Sequence, residues 1–570
     1  MKRWNFLFAV FASFALTAAE PSFVIEAETM ARTGFYALCA SAKASGGYYL
    51  DSPQSDTACR GQYEIPRAGK YTVYLRNLSY GDNRRKVAVS IDGKEIGTAG
   101  DETHGFIWSR AGEIELTAGR HEIILSARSS NTKPDALLLT QEADAASGEK
   151  NAVKLDCLDG MIYQGRVKLN GRAKQAPFET KRCGDKIDFV FFPKANGKPL
   201  TTGALSYRFH GDDGQDISGL IPLNGKEITI STTLQKPGFV WCYGKLAHTD
   251  GALALCRGRD GKLYNALYTT SAGAEVENIP QLAEASDFDE FWAARKKELA
   301  QTPLDATLRE VKGVDPSHYR TFEVSVRCAG PRPVTGYMVM PRDAKPKSLP
   351  ANVCFQGYGL HKQGFPNPYG KRIRFIVNAH GMPLGQSDEF YREFFKPLKN
   401  YAMHDGADPL TCYFHQMALR VMRSLEFIRT LPEWNGADLV VEGGSQGGLQ
   451  SIWAAALDDK VTFCNVTVPW NSNLGGEKLG LIKPVGCAVE YFPALTYYSG
   501  GNHAKRIKCP VNISRAGLCD TLCPPSSVAR LYFNLKCPKA ITWIENNDHF
   551  APLPGSREYH YQSDDFPSAK

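Results

Sequence analysis

The sequence predicts a multidomain chain in which two β-sandwiches precede a larger α/β domain. Three observations carry that prediction. The 570 residues exceed what one core supports, since single cores stop growing at roughly 250–300 residues. From Phe23 to about Ala143, and again from about Asn151 to Ala274, short alternating strands stand between turn residues, the pattern of all-β sandwiches. After Pro350, strands alternate with helices, which builds a mainly parallel sheet flanked by helices. The 43% hydrophobic and 22% charged fractions fit a folded soluble protein and exclude a disordered one. A net charge of +7 with no clustered Lys/Arg stripe gives no nucleic-acid signal.

The opening "MKRWNFLFAVFASFALTAAE" has two cations, an apolar run from Phe6 to Leu16 and small residues around Ala18 and Ala19. That layout predicts a cleavable secretory signal over residues 1–19, hence a secreted or periplasmic protein with no membrane attachment after cleavage. The run is short for a membrane anchor. Fifteen cysteines are an odd number, so at least one thiol stays unpaired. Cys39 with Cys59, and Cys242 with Cys256, are candidate local bridges, while Cys354 and Cys464 read as small core residues of strands.

Residues 20–143 form the first module, with strands such as "QYEIP", "YTVYLRNL", "KVAVSIDG" and "HEIILSA". Its "FVIEAETM", "ASGGYYL", "AGKYTVYLRN", "GEIELTAGRHEIILSA" and closing "DALLLTQ" resemble the jelly-roll carbohydrate-binding modules of families six and thirty-five. That resemblance implies sugar binding, with Glu26, Glu28 and Asp135 at the positions that hold a structural calcium. Carboxylate oxygens suit a hard cation, and the plainer reading is of ordinary strand-end acids. Trp108, Tyr36 and Asn131 are sugar-contact candidates by position, although aromatics in β domains more often pack in the core.

Residues 150–275 carry "KIDFVFFP", "ALSYRFHG", "KEITISTTL" and "GFVWCYGKL" without the first module's motifs, and are assigned an immunoglobulin-like β-sandwich acting as a spacer. The α/β domain takes residues 280–570. It opens on "DFDEFWAARKKELA", a helix with Ser286 as the expected N-cap. Its strands are "NVCFQ", "IRFIVNA", "DLVVEG", "VTFCNVTV", "CPVNISRAG" and "AITWIE". Between them, His415 to Leu431 places Ala418, Val421, Leu425 and Ile428 on one helical face.

The stretch "DLVVEGGSQGGLQS" sets Gly443 and Gly447 two residues either side of Ser445. A G-x-S-x-G after a strand and before a helix is the nucleophile elbow of an α/β-hydrolase, where a serine in a tight turn needs neighbours without side chains. A serine hydroxyl needs a base, and the base an orienting acid. In this fold acid and histidine follow in that order at the ends of later strands. "GLCDTLCPPS" supplies Asp520 and "IENNDHFAP" supplies His549. Asp548 or Glu545 could replace the acid, and His560 the base. Asp548 adjoins the histidine in sequence, where a bond to the ring is awkward. The oxyanion hole is assigned to the backbone amides of Gln446 and of Tyr358, the latter in "QGYG" after an early strand.

"GGSQGG", "QGYG", "SDFDEFW", "GLCDTLCPPS" and the late His549 together resemble the acetyl xylan esterase and cephalosporin-C deacetylase family, carbohydrate esterase family seven, over roughly Asp287 to Pro552. The resemblance implies a serine carboxylic ester hydrolase that removes acetyl groups from sugar hydroxyls, needing no cofactor for catalysis, with acetylated polysaccharide or oligosaccharide as partner. It implies Ser445 as nucleophile, His549 as base and acid, and Asp520 as orienter. The chain departs from the family at Gln356, where a histidine precedes Gly-Tyr, and around His380, where "NAHGMPLGQS" replaces Arg-Gly-Gln-Gly. A serine peptidase of the prolyl oligopeptidase type is an alternative, but it commonly carries a repeat-built propeller, and no repeat period is present. A sugar-binding protein with a degenerate hydrolase domain is the non-enzymatic alternative, against which the complete Ser, Asp and His series counts.

Overall fold

The computed structural model describes residues 21–33, 37–52, 55, 57–80, 85–100, 104–157, 162–164, 166–179, 181–258, 263–485, 489–550 and 556–567. The expected signal segment and Tyr36 lie outside these residues.

In the first β region two five-stranded sheets enclose a common core. One runs Val153–Lys154, Ser22–Glu26, Pro134–Thr140, Gly69–Tyr80, His104–Leu116; the other runs Ala31–Thr33, Ala58–Ile65, Gly119–Ala127, Val87–Ile91, Lys94–Ala99. Alternation decides which side chains go inside: Tyr71, Val73 and Leu75 of one strand, and His121, Ile123 and Leu125 of another, are buried, as the two-residue period of a strand requires.

The second β region sets the sheet Asp216–Pro222, Ala204–Gly211, Gly238–Ala247, Leu267–Ala274 beside one formed by Val167–Ala173, Ile187–Ala195 and Ile228–Thr232. Phe189, Phe191, Leu205, Phe209, Val240 and Cys242 fill the space between them. This region packs against the following domain. Phe178 wedges into the following domain, with ring centroids 4.7 Å from Tyr561, 5.1 Å from Phe533 and 5.6 Å from Trp543. Phe239 stands 5.9 Å from the same Trp543 and joins that domain's hydrophobic core.

The α/β domain is built on a ten-stranded sheet. Its six central strands are parallel, in the order Ile373–Val377, Leu349–Phe355, Trp434–Gly444, Phe463–Thr467, Val511–Gly517, Lys539–Ile544. Three strands before Pro350, namely Thr307–Val311, Tyr319–Val326 and Val334–Pro341, extend one edge antiparallel, and Glu558–Gln562 closes the other antiparallel. Helix Tyr413–Thr430 is buried along most of its length, and helix Gln446–Leu457 almost entirely.

Two local expectations are corrected. Helix Phe288–Ala300 is preceded by Asp287 at its N-cap rather than Ser286, and the Asp287 carboxylate accepts from the Tyr497 hydroxyl instead of a helix amide. The described cysteines are free thiols. Cys59 points into the sandwich core, its Sγ 3.7 Å from Met30 Sδ, while Cys39 lies on a separate hairpin opposite Tyr49. No helix among the described residues is long and apolar enough to cross a membrane.

Candidate active site

Strand Trp434–Gly444 delivers Ser445 to the carboxyl edge of the sheet, and helix Gln446–Leu457 starts at the next residue. Ser445 adopts φ 55°, ψ −121°, a strained conformation for a residue with a side chain and one that occurs mainly at functional sites. Its amide donates to Thr467 O at 3.0 Å, and its carbonyl accepts from Trp470 N at 3.1 Å, so backbone on both sides fixes the turn. The flanking glycines are sterically required. A Cβ on Gly443 would stand 2.5 Å from the Gly447 carbonyl, and one on Gly447 2.2 Å from Phe355 O.

Two strands further along the sheet, Val511–Gly517 leads into the loop of Asp520, and the neighbouring Lys539–Ile544 leads toward His549. Asp520 Oδ2 accepts from His549 Nδ1 at 2.8 Å. Its other oxygen accepts the amides of Leu522 at 2.9 Å and Cys523 at 2.8 Å. The carboxylate is buried, so these donors fill its lone pairs and leave one lobe directed at the imidazole. A proton on Nδ1 leaves Nε2 as the acceptor, the tautomer a general base needs. Among the described residues no hydrogen bond joins Ser445 Oγ to the ring; in free enzymes this bond is often long and closes when substrate binds.

The other candidates serve elsewhere. Asp548 accepts from the amide of Phe550 at 2.8 Å, and Glu545 faces the second β region. His560 lies exposed on the edge strand, with Nδ1 3.0 Å from Thr542 Oγ1. One set of metal-capable donors, Asp520, Cys523 and His549, lies within 4.8 Å of one another. Two of its members are the acid and imidazole just described.

The loop after Leu349–Phe355 lies against the elbow, a Cβ on Gly357 falling 3.7 Å from Gly444 O. Gln446 begins its helix, where the first N–H groups lack intrahelical acceptors. These loops carry the two amides assigned to the oxyanion hole. The structure also supplies a brace that the sequence reading missed. Tyr401 hydroxyl accepts from Gly359 N at 3.2 Å and donates to Gln446 Oε1 at 2.6 Å, joining the two loops.

Gln356 Oε1 accepts from Asn378 Nδ2 at 2.7 Å and Ala379 N at 3.1 Å, while Gln356 Nε2 is 3.0 Å from His361 Nε2. His380 Nε2 is 3.0 Å from Gly359 O and Nδ1 2.6 Å from the Tyr413 hydroxyl. Burial drives its imidazole down to about 3, so His380 is neutral and works as a brace. The loops in which the chain departs from the resembled family therefore hold the Tyr358 loop from behind. No local motif announces Tyr401, which stands in a 3₁₀ turn.

In the first β region Trp108 sits on strand His104–Leu116, its indole N–H donating to Glu149 Oε2 at 2.8 Å. Asn131 is exposed in a turn with φ 61°. Glu26 and Glu28 are buried, and one oxygen of each lacks a hydrogen-bond partner. A Cβ on Gly46 would stand 2.1 Å from Glu28 Oε1 and 3.1 Å from Glu26 Oε2, which shows how closely the two carboxyls and that loop converge. Burial, then the charge of Glu26, pushes Glu28 up to about 8. Such orphaned, crowded carboxyls fit a hard cation. Asp135 is instead paired with the Arg76 guanidinium, which it would have to release to complete the set.

Residues 277–475 and 486–563 match the family model described as acetyl xylan esterase (AXE1). Acetyl esterase Axe7A of Xylanibacter ruminicola is 26% identical over 351 residues, covering 58% of this chain and 76% of its own length. The acetyl xylan esterase structure from Paenibacillus sp. R4 shares 24% identity, with a TM-score of 0.41 over 49% of this chain and 94% of that one. Acetyl xylan esterase 1 from Thermoanaerobacterium sp. JW/SL YS485 gives 20% identity and a TM-score of 0.39, over 49% of this chain and 94% of that one. The family match spans the elbow, Asp520 and His549 alike, so the α/β part of the chain is similar to the acetyl xylan esterase family across its whole candidate site.

Proposed function

We propose that the chain is a secreted carbohydrate O-acetyl esterase that deacetylates xylan-type polysaccharide or oligosaccharide through an acyl-enzyme. The observation that carries this reading is the 2.8 Å bond from His549 to a buried Asp520, at the sheet edge where Ser445 sits in its strained elbow. His549 Nε2 takes the Ser445 proton as Oγ attacks the acetyl carbonyl, then returns it to the departing sugar hydroxyl. Asp520 holds the ring's tautomer and stabilises its cationic form. The amides of Gln446 and Tyr358 receive the developing oxyanion, where one donor is worth about 2.7–4 kcal/mol. Water then repeats the sequence on the acetyl-enzyme.

The first β region acts as a tether, with Trp108 and Asn131 touching sugar, and raises the local concentration of acetylated sites without a new catalytic contact. Glu26, Glu28 and Asp135 hold a structural calcium in that region and take no part in the chemistry. Acetate release from p-nitrophenyl acetate and from acetylated xylan tests the reading. Wild type turns over both and Ser445→Ala neither. A silent wild type, or an unimpaired Ser445→Ala, overturns it.

A further inference from the structure

We propose that the second β region is part of the catalytic apparatus: through Glu545 and Asn546 it sets the position of the loop that carries His549. The inference rests on the reading of Ser445, Asp520 and His549 as the reacting set. Glu545 follows the last parallel strand, Lys539–Ile544, and its side chain is 1% exposed. Oε1 accepts from the Thr270 hydroxyl at 2.9 Å and from the Ala173 amide at 3.0 Å, both donors belonging to the second β region. Oε2 accepts from the Tyr559 hydroxyl at 3.3 Å, a longer contact from the hydrolase itself. A buried carboxyl is costly unless its lone pairs are filled, so its place is dictated by where these donors stand. Asn546, next in sequence, takes φ 51°, and its Oδ1 accepts from the Thr269 amide at 3.1 Å.

From this anchor the bonds run on to both halves of the charge pair. Asn547 O accepts from Cys519 N at 2.9 Å, directly before Asp520. A Cβ on Gly517 would stand 2.5 Å from the carbonyls of Asn547 and Asp548, so the acid and histidine loops lie backbone to backbone. Arg515 Nη1 donates to His549 O at 3.3 Å. A second clamp holds the acid side. Asp212, buried in the second β region, accepts from Ile482 N at 2.8 Å and from the Ser526 hydroxyl at 3.4 Å. Ser526 lies in the first turn of helix Pro525–Asn534, just past the Asp520 loop. A spacer would meet its neighbour through exposed groups that water can replace; the contacts of Glu545 and Asp212 are buried and that of Asn546 partly so, and they flank the two loops whose spacing governs proton transfer. Glu545, Asn546, Thr269 and Thr270 are therefore positioning residues, since none of them meets the reacting atoms.

The test compares steady-state hydrolysis of p-nitrophenyl acetate by the full chain and its variants. Thr270→Val should lower kcat roughly tenfold, as a small misplacement of a catalytic group does, with KM unchanged, and Thr270→Ser should restore it. Asn546→Gly keeps a residue suited to its left-handed backbone, removes the side chain and with it the Oδ1 acceptor of the Thr269 amide, and should lower kcat in the same sense while folding normally. Tyr264→Phe removes a hydroxyl bonded to Val167 at the far end of the strand that ends at Ala173 and should leave kcat at the wild-type value. Undiminished kcat in both Thr270→Val and Asn546→Gly overturns the proposal. So does a loss that Thr270→Ser fails to rescue, or an equal loss in Tyr264→Phe. An inactive wild type, or an active Ser445→Ala, strikes the reading of the reacting set and is recognised as such before these variants are compared.

Discussion

Replacing Tyr401 by Phe isolates what the brace behind the oxyanion hole contributes. The ring is buried and packs 5.1 Å from Tyr358, 4.8 Å from Tyr413 and 4.7 Å from His380, centroid to centroid, and phenylalanine keeps that packing. What disappears is one oxygen, with its 3.2 Å bond from Gly359 N and its 2.6 Å bond to Gln446 Oε1. Each such bond contributes a net ~0.5–1.5 kcal/mol, and deleting an oxyanion donor outright costs about 2.7–4 kcal/mol. Here both amides remain but lose their common tie, so the barrier should rise by about 1–2 kcal/mol, between those limits. That is roughly a 5- to 30-fold fall in kcat. KM for a small ester should not move, because the tie acts on the transition state rather than on binding. Steady-state hydrolysis of p-nitrophenyl acetate, with a thermal melt to confirm folding, provides the measurement. A folded Tyr401→Phe protein with wild-type kcat would refute the bracing role.

Asp520→Asn should lower kcat by about ten-thousandfold while leaving the fold intact, because the imidazole then settles in the wrong tautomer; esterase kinetics check this. Gly447→Ala, whose Cβ would meet Phe355 O at 2.2 Å, should destabilise the protein by at least about 2–3 kcal/mol, read by denaturant unfolding. Glu28, raised to about 8 by burial and by Glu26, lies above its unfolded value. Its contribution to the metal-free fold is therefore fully present below pH ~4.5 and is lost as pH rises toward about 8. Calcium should accordingly raise the melting temperature more at pH 8 than at pH 5; identical melts with calcium and with EDTA at both pH values would remove the metal. Trp108→Ala should weaken retention on insoluble acetylated xylan without changing small-ester turnover, and equal retention would take Trp108 out of the sugar surface.

The elbow was legible because its signal is local: a β-branched strand, the glycines that a crowded turn demands and a helix follow one another within a few residues. Asp520 and His549 were legible because each follows an apolar strand in the order the fold imposes. Of the three strands before Pro350, Val334–Pro341 is buried throughout, and a short apolar run lacks the alternation that marks a half-exposed strand. Ser286 looked like the helix cap, yet the choice fell to Asp287, whose side chain is engaged by Tyr497, far away in sequence. Tyr401, and the bracing contacts of Glu545, which the sequence offered only as an alternative acid, were invisible for the same reason. Their partners are set by tertiary approach, and nothing around either residue announces it.

The Phe178 wedge and the buried carboxyls of Asp212 and Glu545 have a consequence for how the molecule comes apart. Separating the second β region from the hydrolase would strand an aromatic side chain in water and strip two buried carboxyls of the donors that reach them from across the interface, so neither half should open first. Heating should therefore disrupt both in a single cooperative transition. An inhibitor covalently bound to Ser445 should protect backbone amides of the sandwich from hydrogen exchange as well as those of the domain it occupies.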